Sequence, residues 1–195
     1  MIMAAQKGPE VRGTKSGTAI ISKADRAKLA NWGRPPNDKL YLANKKVYDD
    51  KRYFDQKTGD VIYPGTERVD PTNPGKTIQD PNIHGFKNGE FRTEQIPKGK
   101  VIDRYGDNGG GQYFSPDGSS YESRALPPFM KDKPYEKYEV IKEFEVKTGE
   151  VAPWFGENGK GIQHYSDSYI MDDYGNKFKP TVENLVEYEY LKKLD

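Results

Sequence analysis

The chain has 195 residues, of which 33% are hydrophobic and 31% are charged, and its formal net charge is +1. This balance argues against nucleic acid as the main partner because a basic footprint is missing, and no apolar run approaches the roughly 20 residues that a membrane-spanning helix needs. The sequence has no cysteine, which excludes disulfides, zinc–thiolate sites and a cysteine nucleophile.

The first 36 residues are predicted to form a linker or tail that carries one short helix. Ser22, followed by Asp25 three residues later, is typical of a capped helix start, and the helix is expected to end near Trp32. The glycine and prolines of GRPPND, residues 33–38, break it. The main domain is therefore expected to span residues 37–195.

Two stretches of this domain precede its predicted sheet. From Leu40 to Tyr63 the pattern predicts a hairpin, because an Asp and a Gly separate two aromatic or β-branched arms. From Pro64 to Phe86 the sequence is proline-rich and has no period, which predicts a long loop of the kind that is often functional or mobile.

Three segments predict short strands: KVIDRYG, GQYFSP and YEVIKEFEV, the last with alternation from Tyr138 to Val146. The final stretch, PTVENLVEYEYLKKLD, predicts a helix capped at Thr181. The 14 Tyr, 8 Phe and 2 Trp residues supply large side chains for a core. The sequence therefore predicts a compact α+β domain that is β-rich, with antiparallel sheets, short helices near its ends and long Gly- and Pro-rich loops.

Two arginines are the first candidates for a binding site. Arg104 ends a predicted strand and is followed by the turn residue Gly106, and Arg124 precedes two stiffening prolines. Arginines presented by rigid turns suit bidentate recognition of phosphate or carboxylate. The alternative is that each arginine pairs with one of the 30 acidic residues, and the sequence leaves both interpretations open.

Glycines and aromatic pairs give weaker signals. The run Gly109–Gly111 permits close approach of an anion, but it lacks the Lys-Ser/Thr of a P-loop. The pairs Tyr113-Phe114 and Trp154-Phe155 either stack on a planar ring, such as nicotinamide or adenine, or fill the core.

Acidic pairs and histidines do not define a site. The Glu-x-Glu spacing used by many ADP-ribosyltransferases occurs at 143–145 and 187–189. The first pair is typical of a solvated strand edge, and the second lies on a predicted helix, where positions two apart do not share a face. His84 and His164 lack metal-ligand spacing, so no metal site is predicted.

Five motifs in order and spacing resemble the tuberculosis necrotizing toxin (TNT) domain family. They are DRYG, GQYFSP, RALPP, YEVIKEFEVKTGEVAPWFGENGKGIQ and the terminal VENLVEYEYLKKL, with HGF upstream at His84–Phe86. The resemblance covers about Tyr63 to Leu194. It implies a NAD⁺ glycohydrolase, which cleaves NAD⁺, and often NADP⁺, to nicotinamide and ADP-ribose. These dinucleotides are substrates, and no cofactor is implied.

The resemblance also implies where such a domain acts. Family members occur as the C-terminal toxin module of large secreted bacterial proteins, so delivery into a target-cell cytoplasm and killing by NAD depletion are expected. The implied partners are NAD⁺ or NADP⁺ and a cognate immunity protein that blocks the active site, without nucleic acid or membrane insertion. Two alternatives stay open, an ADP-ribosyltransferase toxin and a non-catalytic NAD-binding module.

Family residues carry over position by position. The strand-end arginine falls on Arg104, the second arginine on Arg124, the essential glutamine on Gln163 and the motif aromatic on Tyr113. The residues expected to be catalytic are Gln163, Arg104 and Tyr113. The residues expected to bind substrate are Arg124, Phe114, Trp154 and Gly106.

The sequence departs from the family pattern in two places. The founding toxin relies on a histidine between its second arginine and its glutamine, and this stretch has none here, so the residue is either dispensable or replaced by Tyr135 or Tyr138. The glutamine loop reads GENGKG, in which Glu157 and Lys160 add local charge. These differences affect the expected rate and the NAD-versus-NADP preference rather than the reaction class.

Overall fold

The computed structural model describes residues 20–70 and 72–195, which form two compact units divided between Val61 and Ile62. Most of the predicted linker, residues 1–19, lies outside the described residues. The predicted boundary at residue 37 stays a prediction.

The first unit is helical. Its helices are α1 Lys23–Ala30, α2 Asp38–Ala43 and α3 Lys45–Tyr48. The predicted cap is present, because the Ser22 hydroxyl accepts a hydrogen bond from the Asp25 amide at 3.1 Å. The buried rings among its described residues are Trp32, Tyr41, Tyr48, Tyr53 and Phe54.

The hairpin predicted from Leu40 to Tyr63 is wrong for most of its length. Asn37 caps α2 through a hydrogen bond from the Leu40 amide at 2.8 Å, and Tyr41 and Tyr48 fall seven residues apart on the buried side of the helices. Of the predicted hairpin only the turn is present, and one antiparallel bridge between Phe54 and Val61 closes it.

The second unit contains the sheets. Its strands are β1 Glu67–Asp70, β2 Asn73–Gln79, β3 Arg92–Ile96, β4 Val101–Tyr105, β5 Tyr113–Pro116, β6 Tyr135–Val140, β7 Phe144–Glu150, β8 Ile162–Tyr165, β9 Ile170–Met171, β10 Lys177–Phe178 and β11 Leu191–Leu194. Seven of them form one sheet in the order β11-β6-β4-β5-β8-β7-β3. Every pair in this sheet is antiparallel.

Short helices complete the second unit. They are α4 Val182–Glu187 and the 3₁₀ segments Ile83–Gly85, Lys87–Gly89, Glu122–Arg124 and Pro128–Asp132. Apolar residues of α4, among them Val182 and Leu185, join strand residues such as Ile102 and Val140 in the buried core. The predicted class is confirmed: the fold is β-rich α+β with antiparallel sheets and short helices.

Two further predicted elements differ from the structure. The expected loop from Pro64 to Phe86 contains the exposed hairpin β1–β2. The segment YEVIKEFEV is divided between β6 and β7, which are not neighbours in the sheet.

The chain end differs as well. Thr181 caps α4 as predicted, accepting from the Asn184 amide at 3.2 Å, but the helix stops at Glu187. Glu189 has φ 62°, a left-handed conformation that ends a helix. The last strand then pairs with β6, because pairing satisfies its backbone and buries Leu191.

Candidate functional site

A cleft of about 460 Å³ opens in the second unit where the central strands of the sheet meet its loops. This volume is in the range of small-molecule sites. Strands β4, β5 and β8 contribute Arg104, Tyr113 and Gln163 to its wall. The other lining residues are Tyr63, Pro64, His84, Gly85, Asp103, Tyr105, Asn108, Gly111, Gln112, Phe114, Ser115, Arg124, Ala125, Leu126, Met130, Val151 and Ala152.

Arg104 brings an unneutralised cation to the cleft. Its Nε is buried without a hydrogen-bond partner, Nη1 donates a long bond, 3.4 Å, to the Asn108 carbonyl, and the Tyr138 hydroxyl lies close to the guanidinium. Within the described part of the chain no carboxylate lies within 4.0 Å of its guanidinium. Burial lowers the pKa of Arg104. A partly desolvated guanidinium without a counter-ion is a site that an anionic ligand would complete.

Two glycines make room for this guanidinium. A Cβ at Gly111 would lie 2.0 Å from Arg104 Nη2, and one at Gly106 would lie 2.9 Å from the same atom. Gly106 also has φ 141°, where side chains are strained. It does not line the cleft, so the structure gives it a supporting contact with Arg104 rather than one with a ligand.

Arg124 differs from Arg104 because it pairs with an acidic side chain. It is buried, and Nη1 donates to Asp103 Oδ1 at 2.5 Å while Nη2 donates to the Ser119 carbonyl at 2.8 Å. Tyr135 donates its hydroxyl to Asp103 Oδ2 at 2.6 Å. The pairing with an acid that the sequence left open for both arginines is therefore present at Arg124 and not at Arg104.

Gln163 has a fixed orientation. It is 9% exposed, and its Nε2 donates to the His84 carbonyl at 2.8 Å. His84 adopts φ 57°, which turns the HGF segment beneath the amide. Among the described residues nothing donates to Gln163 Oε1, so this oxygen keeps its lone pairs for a ligand or water.

The sequence reasoning assigned no role to His84. The structure places it in the cleft wall through its carbonyl contact with Gln163. The HGF motif marks His84 in the sequence, but no local pattern links it to Gln163, which lies 79 positions later.

The aromatic candidates separate into two groups. Tyr113 lines the cleft, is 42% exposed and stacks on Tyr165 at 4.5 Å between ring centroids. Phe114 touches the cleft wall but belongs to the core, with 2% exposure and an edge contact to Tyr138. The prediction that Trp154 contacts substrate is not supported by its position. It is absent from the wall, and its indole N–H donates to the Ile62 carbonyl at 2.8 Å.

The two tyrosines considered for the missing family histidine have other surroundings. Tyr138 packs in the core, while Tyr135 reaches Asp103 beside Arg124. Neither lines the cleft. The cleft wall has a histidine from an earlier segment, His84, and a role for Tyr135 or Tyr138 in place of the family histidine stays a prediction.

His164, next to Gln163 on β8, faces away from the cleft and is buried. Its Nδ1 lies 2.8 Å from the Thr148 hydroxyl, and its Nε2 has no partner. Burial is the main cause that lowers the pKa of His164 to about 4. The native state therefore favours the neutral ring.

This burial predicts a pH-dependent stability. Because the native pKa lies below the unfolded value of about 6.5, the stabilisation is complete above pH 6.5 and is lost as the pH falls toward 4. We expect the free energy of unfolding to drop by about 3 kcal/mol over this window. Urea titrations at several pH values measure the free energy of unfolding. His164→Leu should remove most of its slope against pH between pH 6.5 and pH 4. Equal slopes in both proteins would contradict the prediction.

The described residues contain no group of three or more His, Asp or Glu side chains placed to hold a metal ion. No described helix is long and apolar enough to span a bilayer. Among the described lining residues Asp103 is the only carboxylate, and Arg124 and Tyr135 already engage both its oxygens.

Comparison with known proteins places this site in context. The chain is 32% identical over 107 residues to the conidial surface nicotinamide adenine dinucleotide glycohydrolase nadA of Aspergillus fumigatus, and the match covers 51% of this chain and 40% of that protein. The chain thus spans less than half the length of this relative.

Solved structures give weaker likenesses. Tuberculosis necrotizing toxin, solved in complex with its immunity factor IFT, is 22% identical with a TM-score of 0.46, covering 89% of this chain and 88% of the toxin. Rhs1-CT, solved in complex with its cognate immunity protein RhsI1, is 18% identical with a TM-score of 0.36, covering 54% of this chain and 77% of the other.

A family model described as Tuberculosis necrotizing toxin matches residues 95–194, which are 100 of the 195 residues. The match includes Arg104, Tyr113, Arg124 and Gln163, all of which line the cleft. The chain belongs to the tuberculosis necrotizing toxin family.

Proposed function

We propose that the protein is a NAD(P)⁺ glycohydrolase, which hydrolyses NAD⁺, and also NADP⁺, to nicotinamide and ADP-ribose. The observation that carries the proposal is one cleft holding both Arg104, a cation with no described carboxylate within 4.0 Å, and an oriented amide, Gln163. Family membership and the likeness to a NAD glycohydrolase support the same reaction.

Arg104 would bind the pyrophosphate of the dinucleotide. A diphosphate supplies the acceptor oxygen that its Nε lacks, and a guanidinium pairs with phosphate in a bidentate geometry. Arg124 has three N–H donors committed, one to Asp103 and two to the Ser119 carbonyl. Its proposed contribution is to shape the cleft floor and to offer its remaining N–H groups to the substrate. Anchoring the diphosphate lets remote binding energy act at the reacting bond.

Gln163 would act at the ribose. Nicotinamide leaves as a neutral molecule, so the step needs stabilisation of a ribose that gains positive charge rather than strong acid catalysis. The oxygen of Gln163, held by the Nε2 bond to His84, would accept from a ribose hydroxyl or from the attacking water. The described wall has no free carboxylate for the two-carboxylate mechanism of many glycosidases. Tyr113 presents a half-exposed ring that would flank the nicotinamide or the ribose cation.

The biological role proposed is that of a toxin module carried by a larger exported protein and delivered into the cytoplasm of a target cell. The family description as a toxin supports it. An enzyme that consumes NAD⁺ also threatens the cell that makes it, so we propose a cognate immunity protein that covers the cleft.

The function is tested by incubating the purified protein with NAD⁺ and, separately, NADP⁺, and following both products by chromatography. We expect nicotinamide and ADP-ribose in equal amounts. Nicotinamide release with ADP-ribose attached to added cell proteins would instead identify an ADP-ribosyltransferase. Binding of NAD⁺ by folded protein without any release would identify a binding module.

Arg104→Ala should raise KM and lower kcat together, with kcat/KM falling roughly 10- to 100-fold, because a charged hydrogen-bond donor to the substrate is lost. Arg104→Lys should have a kcat/KM between those of the wild type and Arg104→Ala, since lysine keeps the charge without the planar fork of the guanidinium. Steady-state kinetics measure both. Arg92→Ala is the matched control, as Arg92 lies on β3 outside the cleft and pairs with Glu94 at 2.9 Å. An unchanged KM in Arg104→Ala would argue against a phosphate contact.

A further inference from the structure

Tyr165 lies behind the cleft wall and contacts two residues that form it. Its ring stacks on Tyr113 at 4.5 Å with an interplanar angle of 12°. On another side it packs against the His84 ring at 4.7 Å. Tyr165 itself does not line the cleft.

Strand register explains these contacts. Tyr165 is the direct cross-strand partner of Tyr113 on β5 and of Lys147 on β7. Lys147 lies 5.9 Å from the Tyr165 ring centroid and forms an ion pair with Asp167. Gln163 precedes Tyr165 by two residues on β8, so both side chains point to the same face of the sheet. The ring therefore cannot move away from Tyr113 without disturbing neighbours on both strands.

The His84 contact links Tyr165 to the amide. His84 holds a left-handed backbone, φ 57°, a conformation that non-glycine residues adopt only where surrounding contacts support it. Its carbonyl is the acceptor that fixes Gln163 Nε2. Packing of the His84 ring on Tyr165 is therefore one of the contacts that keep this carbonyl in place.

We propose that Tyr165 is a positioning residue for the reaction, holding the Tyr113 ring against the substrate and, through His84, the amide of Gln163. This inference rests on the proposed function. It assigns Tyr165 no contact with substrate, and it predicts that the ring matters while the hydroxyl does not.

The experiment compares Tyr165→Leu with Tyr165→Phe in steady-state NAD⁺ hydrolysis. An aromatic ring pair accounts for a several-fold change in an equilibrium, and Tyr165 makes a stacked contact with Tyr113 and a tilted contact with His84, so Tyr165→Leu should lower kcat/KM about tenfold. Loss of the Tyr113 stack should raise KM, and loss of the His84 contact should lower kcat. Tyr165→Phe keeps both ring contacts and should retain the wild-type values.

A matched control separates positioning from stability. Tyr188 stacks on Phe178 at 4.1 Å and is not part of the cleft wall. Tyr188→Leu removes a comparable ring pair, so it should lower the urea midpoint without changing KM or kcat. In a Tyr113→Leu background, Tyr165→Leu should lower kcat/KM by a smaller factor, because the ring stack between residues 113 and 165 is already absent. The ring-current shift of the Tyr113 protons, measured by NMR, reports the stack without any substrate.

The outcomes divide clearly. A wild-type protein that consumes no NAD⁺ overturns the proposed function and this inference with it. An active wild type whose Tyr165→Leu variant is equally active, or whose Tyr165→Phe variant is as impaired as Tyr165→Leu, overturns the inference alone. A Tyr113 spectrum without a ring-current shift also overturns it, whatever the activity.

Discussion

Replacing Gln163 with alanine is expected to lower kcat for NAD⁺ hydrolysis by roughly 10²–10³ while the protein stays folded. The amide is buried and its orientation is fixed by the His84 carbonyl. A preorganised polar group of this kind contributes mainly in the transition state, so KM should change less than kcat.

The fold should tolerate the change. The variant loses one hydrogen bond and leaves the His84 carbonyl without this donor, which costs about 1–2 kcal/mol of unfolding free energy. Nicotinamide release gives kcat, and circular dichroism with urea denaturation reports the fold. Gln95→Ala serves as control because Gln95 is exposed on β3, outside the cleft. A folded Gln163→Ala protein with near-wild-type kcat would remove Gln163 from the mechanism.

Asp103→Ala should have the largest effect on stability, lowering the free energy of unfolding by about 3–5 kcal/mol. Asp103 is fully buried and accepts from both Arg124 and Tyr135. Without it the Arg124 guanidinium stays buried between the Tyr105 and Tyr135 rings, 5.1 and 5.8 Å from their centroids, with no negative charge beside it. Leaving a buried charge uncompensated lowers the free energy of unfolding far more than breaking one of the exposed ion pairs elsewhere on this protein does.

Urea denaturation of Asp103→Ala and of Asp117→Ala tests this prediction. Asp117 pairs with Lys137 at 2.8 Å, but both side chains are 42% exposed, and such a surface pair contributes at most about 1 kcal/mol. Asp103→Asn should be intermediate, since the amide keeps one acceptor. Equal losses in Asp103→Ala and Asp117→Ala would contradict the assignment of a buried charge network.

Arg104 and Arg124 show how far sequence can define the site. Both arginines follow from motifs, and both line the cleft. Their difference does not follow from any motif, because the acid beside Arg124 is Asp103, 21 positions away. Sequence identifies residue types with a suitable chemistry, whereas the free or engaged state of each depends on long-range pairing.

The same limit applies to the fold. Ser22 and Thr181 are caps that act on their own first turn, so a local pattern predicts them. Leu191–Leu194 has helix-compatible spacing but forms a strand, because β6 offers a free ladder of backbone groups. His84 and Gln163 meet only once the sheet is assembled, which is why the HGF motif alone assigns no role to this histidine.

The placement of the site in the sheet has a consequence for its dynamics. Strands β4, β5 and β8 each have a partner on both sides, so none of them can open without breaking two ladders. Their amide hydrogens should exchange with solvent only through global unfolding. Fluctuations of the exposed β1–β2 hairpin would leave the spacing of Arg104, Tyr113 and Gln163 unchanged. Catalytic competence and cooperative unfolding are thereby coupled, and heating should remove activity and the protected amides in a single transition.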